Sequence, residues 1–333
     1  MDILNALVAL LNFVVIPAAA YGAQLALGAL GVTLIYGILR FSNFAHGDTM
    51  ALGTAFVILV TWALQALGVS LGPLPTALLA LPVGIALTSL VVLGTDRGIY
   101  RFYRRKKSEP IILVMASVGV MFIMNGVTRL VIGVDEIRFD DGARFLFSVQ
   151  QFKAWSGLTE GLSLRVSQAL TLVITALACW ALFRFLARSK AGKAMRAYAD
   201  NEDLALLSGI EPERVVRLTW IIATALAVTA GTLYGLDKSF KAFNYFQILL
   251  PIFAASIVGG LGNPLGAVAG GFIVAFSEVA VTYPWKKVAG YLGYQSDGLL
   301  QLLSTEYKFA VSFVILIVVL LFRPTGLFRG KSY

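Results

Sequence analysis

Residues 40–48 read Arg-Phe-Ser-Asn-Phe-Ala-His-Gly-Asp and hold the only histidine of the chain, His46, two positions before Asp48. An imidazole close to a carboxylate and to Ser42 has the makings of an acid–base or nucleophile pair. The flanks argue for another use. Residues 16–39 and 49–95 carry no charged side chain, and polar groups between hydrocarbon-length segments are costly unless paired or facing water. A hydrolase would also need an orienting third group and an oxyanion site, and neither G-x-S-x-G nor H-E-x-x-H occurs. One histidine and one cysteine, Cys179, cannot assemble a metal centre. Asn43, His46 and Asp48 therefore either line a path through the molecule or hold a broken helix together by hydrogen bonds.

Other polar groups interrupt apolar runs in the same way. Asn125 and Arg129 fall one helical turn apart, and Glu278 stands alone in a long uncharged stretch. Ionisable groups in such runs are functional candidates by default, and near the ends of a run they snorkel toward water. A second break, Gly259-Gly260-Leu261-Gly262-Asn263-Pro264, resembles a phosphate loop only superficially, because no Lys or Arg lies between Lys241 and Lys286. Gly262, Gly266 and Gly270 recur every four residues, with Ala267 and Gly271 beside them, which is the small-residue face used for close helix packing in membranes. Asn263 at that break is a second candidate path-lining group.

The elements that must position these residues follow from composition. The 333 residues are 58% hydrophobic and only 14% charged, against roughly 25% charged in soluble domains. With a mean hydropathy of +0.82, the chain is expected to be an all-α, polytopic transmembrane bundle in a single domain, 1–333. Spans of about 20 apolar residues are expected near 18–39, 49–67, 73–95, 110–132, 167–187, 216–236 and 304–322. The stretch 248–283 is read as two helices broken at the glycines. That makes eight or nine spans in two pseudo-repeat halves, with the breaks at 42–48 and 259–264 in opposite halves. No basic residue precedes Arg40, which argues against a signal peptide, and Pro17 is expected to bend the chain ahead of the first span.

The net charge of +9 is not a nucleic-acid footprint, because it is concentrated in three places. Arg97, Arg101, Arg104, Arg105, Lys106 and Lys107 fall in one loop. Arg184, Arg188, Lys190, Lys193, Arg196, Arg214 and Arg217 surround a second, and Arg323, Arg329 and Lys331 close the chain. Residues 133–165 carry instead Asp135, Glu136, Asp140, Asp141 and Glu160 among four basic residues. The positive-inside bias puts 96–109, 188–216 and the C-terminus in the cytoplasm and 133–165 on the far side. Within 188–215, a short helix from Ala191 to Tyr198 is followed by a cap at Asp200 or Asn201. A second helix carries Leu204, Leu206 and Leu207 and ends at Gly209.

The segment AGKAMRAYADNEDLALLSGI resembles the cytoplasmic coupling motif of ABC importer permeases, in particular the branched-chain amino acid permease family of the LivH type. The opening GVTLIYGILRFSNFAHGD, the late GGLGNPLGAVAGG and the ending LFRPTGLF are similar to blocks of that family in order and spacing. The apolar extension before Pro17 is longer than the family pattern, and 133–165 contains no recognisable binding module. The resemblance implies a permease subunit in the bacterial inner membrane that is not itself an enzyme and carries no cofactor. Its implied partners are a second permease, two cytoplasmic ATP-binding subunits and an extracytoplasmic substrate-binding protein. The absence of G-x-x-x-x-G-K-[ST] agrees, since ATP must then be hydrolysed by another chain. Arg196, Asp200, Asn201, Glu202, Leu204 and Gly209 become the coupling residues; Asn43, His46, Asp48, Asn125, Asn263 and Glu278 become the substrate path. Urea or short amides are the alternative permeants. A secondary transporter would need ion-coupling carboxylates deep in the spans, and only Glu278 stands late in the chain.

Overall fold

The computed structural model describes residues 2–139, 141–291, 293–294, 298, 300–323 and 325–328. Asp140, Arg329 and Lys331 of the charge pattern lie outside the described residues. The chain begins with α1 (Asp2–Leu10), a π-turn over Leu11–Val15, α2 (Ile16–Leu39) and α3 (His46–Ala66). Next come α4 (Ala77–Thr95), a second π-turn over Asp96–Tyr100, α5 (Arg101–Arg105) and α6 (Pro110–Ile132). A short antiparallel pair, β1 (Phe145–Phe147) and β2 (Leu164–Arg165), brackets α7 (Val149–Ser156). The second half runs through α8 (Val166–Arg188), α9 (Lys190–Asp200), α10 (Glu202–Leu207) and α11 (Pro212–Lys238). It ends with α12 (Ala242–Gly259), α13 (Pro264–Thr282), α14 (Lys286–Tyr291) and α15 (Lys308–Phe322).

Eight helical stretches among the described residues are long and apolar enough to cross a membrane. They correspond to the expected spans, and 248–283 divides into α12 and α13 as its glycines suggest. The ninth, α15, has 15 residues and reaches about 22 Å, short of the roughly 30 Å hydrocarbon core.

Two boundaries differ from the sequence expectation. The helix runs through Pro17 without a break from Asp2 to Leu39. The π-turn just before it loosens the backbone, and Pro17 falls in the first turn of α2, where a missing N–H is tolerated. Second, most of the expected loop 96–109 is helical, because α4 continues into α5 as far as Arg105. Asp96 permits this. Arg104 donates to its carboxylate at 2.5 and 3.2 Å, and the Trp220 indole donates at 2.8 Å.

Helices α2 and α11 form the centre. α2 packs against α8, α11, α12 and α13, and α11 packs against α3 and α4. Threonine hydroxyls within the spans donate back to carbonyls four residues earlier, as at Thr49, Thr54, Thr88 and Thr219, so each is satisfied inside its own helix. At the end opposite α9, the Glu160 and Ser163 amides donate to the side chains of Asn5 and Asn12, tying the N-terminal helix to the loop before α8.

Candidate functional site

Between α2 and α3 the chain turns back into the bundle. Arg40 ends α2 in the left-handed region, at φ 57°, and its guanidinium donates to the Ala199 carbonyl at the end of α9. Six residues later, His46 lies against Gly31 of α2, where an added Cβ would stand 2.6 Å from its Cε1. Gly31 and Arg40 are nine positions apart, so residues 40–46 climb about 13 Å along α2. This stretch is non-helical through Ala45, and side chains serve its backbone. The Phe44 amide donates to Ser117 Oγ at 3.1 Å, and the Ala45 amide donates to Asn43 Oδ1 at 3.2 Å. The same Asn43 oxygen accepts from the Tyr100 hydroxyl at 3.3 Å, and the Tyr100 ring stacks on Trp220 with centroids 5.3 Å apart.

Helix α3 starts at His46 and carries Asp48 in its first turn, with no accessible surface. The Asn125 amide of α6 donates to Asp48 Oδ1 at 2.7 Å. Arg129, one turn along α6, adds an attractive charge. Asp48 Oδ2 has no hydrogen-bond partner among the described residues, and neither does His46 Nε2. The structure thus assembles Asp48, Asn125 and Arg129 on one side of α3 and directs His46 toward α2. His46 and Asp48 share no hydrogen bond among the described residues, so the base–orienter pair of a hydrolase is not formed.

The remaining path candidates lie apart. Asn263 caps α13, its Oδ1 accepting from the Gly266 amide at 3.2 Å. Gly266 and Gly270 of the small-residue stripe pack on α12, and Gly271 packs on Ala26 of α2. Gly262 is not part of that face; it turns the chain at φ 84° with nothing within 4 Å of a Cβ. The chain end closes over this turn, with Leu327 N donating to Val258 O at 2.8 Å and Phe328 N to Gly259 O at 3.3 Å. Two motifs far apart in sequence therefore meet. Glu278 is buried near the other end of α13, accepting from the Ser312 hydroxyl of α15, with Tyr21 and Lys308 beside it.

Outside the bundle, α9 and α10 form a helical elbow. Ser189 caps the first helix and Asn201 the second, the latter accepting from the Leu204 amide at 2.9 Å. Gly209 ends α10 at φ 79°. The Tyr198 hydroxyl donates to Glu202 at 2.6 Å across the joint. Burial pushes the Tyr198 phenol well up, and the bond to Glu202 pushes it further, so the donor stays protonated. Leu204 and Leu207 stand 64% and 86% exposed, with Asp200 and Glu202 open beside them. Arg196 instead lines a groove of about 350 Å³ between α2, α8, α9 and the α12–α13 turn.

Several participants escaped sequence reasoning. Arg40, Tyr100, Trp220 and Tyr198 hold the break and the elbow, and none lies in a spacing pattern. Asp237 is the other. At the end opposite α9, a 450 Å³ depression is lined by Arg138, Arg144, Arg165, Lys238, Asp141 and Asp237. The nearly buried Asp237 carboxylate lies 3.8 Å from both Arg165 and Lys238. Its position straight after a long apolar run was the available signal.

Buried carboxylates and amides between membrane-length helices, a non-helical re-entry and an external helical elbow define a multi-pass membrane protein built as a permease. No group of three or more His, Cys, Asp and Glu side chains suited to a metal ion occurs among the described residues. The chain belongs to the family described as branched-chain amino acid transport system / permease component, which it matches over residues 15–320. It is 32% identical over 311 residues to the high-affinity branched-chain amino acid transport system permease protein LivH of Escherichia coli, covering 92% of this chain and 91% of that protein. The corresponding protein BraD of Pseudomonas aeruginosa is 28% identical, covering 92% of each chain. A probable LivH of Methanocaldococcus jannaschii is 30% identical, covering 92% of this chain and 89% of that one. No solved structure matches the chain.

Proposed function

We propose that this chain is the membrane permease subunit of an ATP-driven importer of branched-chain amino acids, set in the bacterial inner membrane. In this reading it pairs with a second permease, identical or homologous. Two cytoplasmic ATP-binding subunits dock on the α9–α10 elbow, and an extracytoplasmic binding protein delivers substrate to the opposite end. The chain itself holds no cofactor. The α9–α10 end, residues 106–109 and the C-terminus face the cytoplasm.

The observation that carries this reading is the elbow itself. Leu204, Leu206 and Leu207 stand together and exposed on one short helix, an apolar cluster of the kind a partner covers, and the elbow is tied to the membrane break through Arg40 and Ala199. ATP binding by the partners pushes on α9 and α10. Asp200, Asn201, Glu202, Leu204 and Gly209 form and shape the contact, and Arg196 lies behind it in the groove. The push reaches the Arg40–Ala45 segment and biases outward against inward openings by the nucleotide's differential affinity for the two states. Asn43, His46, Asp48, Asn125, Asn263 and Glu278 line or brace the path. A zwitterion needs donors for its carboxylate and an acceptor for its ammonium, and the Asp48–Asn125 pair supplies both kinds of group.

The test is the double substitution Leu204→Asp and Leu207→Asp. Both side chains are exposed, so the fold tolerates the change within about 0.5 kcal/mol. Loss of ATPase co-purification and of radiolabelled leucine uptake in a deletion strain is expected, with normal membrane levels. Undiminished ATP-dependent uptake would refute the docking surface. Parallel assays with leucine and urea decide the permeant.

A further inference from the structure

We propose that the groove between α2, α8, α9 and the α12–α13 turn is a site for an anionic phospholipid, one acyl chain lying in the groove and the phosphate on Arg196. Its walls are apolar, with Leu34, Ile38, Phe183, Leu186 and Leu265 prominent, and its volume is about 350 Å³. Arg196 is the one charged residue among the lining groups. Its Nε is buried and finds no acceptor among the described residues, and a guanidinium left so is strongly drawn to an oxyanion.

The occupant follows from charge. No carboxylate is among the described lining residues, so the ammonium of an amino acid would find no counter-charge there, only the Thr33 hydroxyl, and a zwitterionic permeant is a poor fit. A monoanion with a long hydrocarbon tail satisfies both the guanidinium and the walls. Arg184, Arg188, Lys190 and Lys193 belong to the same end of the bundle, where basic residues near the bilayer surface attract anionic lipid. Walls from α9 and from the α12–α13 turn mean that an occupant would tie the elbow to the glycine break. The inference needs only the membrane location and stands independently of the transport reading.

The experiment uses the full-length chain in phosphatidylcholine vesicles containing a trace of phosphatidylglycerol with a photoactivatable acyl tail, compared with phosphatidylcholine carrying the same tail. Labelled peptides are mapped by mass spectrometry. The expected result is labelling at 34–38, 183–187 or 265 by the anionic probe, in excess over the zwitterionic one and displaced by unlabelled phosphatidylglycerol. Arg196→Gln should reduce this labelling about tenfold, the effect of one charge-assisted hydrogen bond. Arg196→Lys should retain most of it. Leu265→Trp, which fills the groove and keeps Arg196, should also remove it. Equal labelling by both probes, or labelling indifferent to Arg196→Gln, would overturn the proposal.

Discussion

The Asp48–Asn125 contact can be taken apart by two substitutions. Asp48 has no exposed surface, and its carboxylate has one side-chain hydrogen-bond donor among the described residues, the Asn125 amide at 2.7 Å. Asn125→Leu keeps the size of the side chain and removes that donor, leaving both oxygens without a partner. A hydrogen bond to a charged group is worth about 1.5–3 kcal/mol, and that is the expected destabilisation. Asp48→Asn removes the charge instead. In the Asn125→Leu background it should recover much of the loss, because a neutral amide is cheaper to leave alone in an apolar setting than a carboxylate. In the unaltered protein the same change should be neutral or harmful, since it weakens a charge-assisted bond. The two effects must therefore couple by about 1.5 kcal/mol or more. Unfolding of the purified chain in mixed micelles, followed by tryptophan fluorescence across a denaturing-detergent titration, gives the four corners of the cycle. Additivity within about 0.5 kcal/mol is what independent sites show, and finding it here would refute the pairing as the reason these groups sit in the bundle.

Four further outcomes follow from other contacts. Gly270→Ala would put a Cβ 2.1 Å from the Ala255 carbonyl oxygen, forcing α12 and α13 apart; thermal unfolding should show a loss of about 1–3 kcal/mol or more. Gly94→Ala, with open space at its Cβ, should be neutral or stabilising by up to about 1 kcal/mol. Arg40→Gly suits the left-handed backbone at φ 57° yet removes the link to Ala199, so the fold should hold while ATP hydrolysis continues with little leucine uptake; intact uptake would disprove transmission through Arg40. Finally, burial raises the Glu160 carboxyl, but bonds from Lys287 at 2.8 Å and Tyr291 at 2.5 Å outweigh it and hold the pKa below the ordinary 4.5. That contribution is complete above 4.5 and disappears as pH falls through the depressed value. Protection factors for hydrogen exchange in α14 and 157–165, taken relative to the intrinsic rate at each pH, should fall on acidification below 4.5, and Glu160→Gln should abolish the dependence.

The helices were legible because membrane thickness sets their length and glycine, proline and charge mark their ends. Asn201 and Asn263 cap α10 and α13 as their short, locally bonding side chains favour. Apart from Pro17, whose signal is offset by its immediate neighbours, the failures share one cause, which is that partners elsewhere in the chain neutralised a local signal. Asp96 reads as the end of a span, but Arg104 and Trp220 satisfy it and the helix continues. Pro17 reads as a bend, but the π-turn before it removes the conflict. Asp48 and Asn125 are 77 positions apart, and periodicity carries no information about that pairing. The reach of Arg40 to Ala199 spans 159 positions and is equally invisible.

The mechanical reading rests on how the non-helical residues before α3 are held. Irregular backbone at membrane depth persists only where protein or water serves its polar groups. Here the amides of Phe44, Ala45 and His46 go to Ser117 Oγ, Asn43 Oδ1 and Asn43 O. Asn43 is itself held by Tyr100, which stacks on Trp220, which bonds Asp96. Displacing the segment alone would strip several buried groups of partners at once, each at a cost of about 1–3 kcal/mol. Moving it together with α6, α11 and the π-turn after α4 breaks none of them. Under the proposed function, a push delivered at Ala199 and Arg40 is therefore carried as a rigid shift of the α3 start and its Asp48 against α2. The surface that gives is then the contact of His46 with α2: its Nε2 has no hydrogen-bond partner among the described residues, and the imidazole's bond to the Gly28 backbone is a polar contact that such a shift must break.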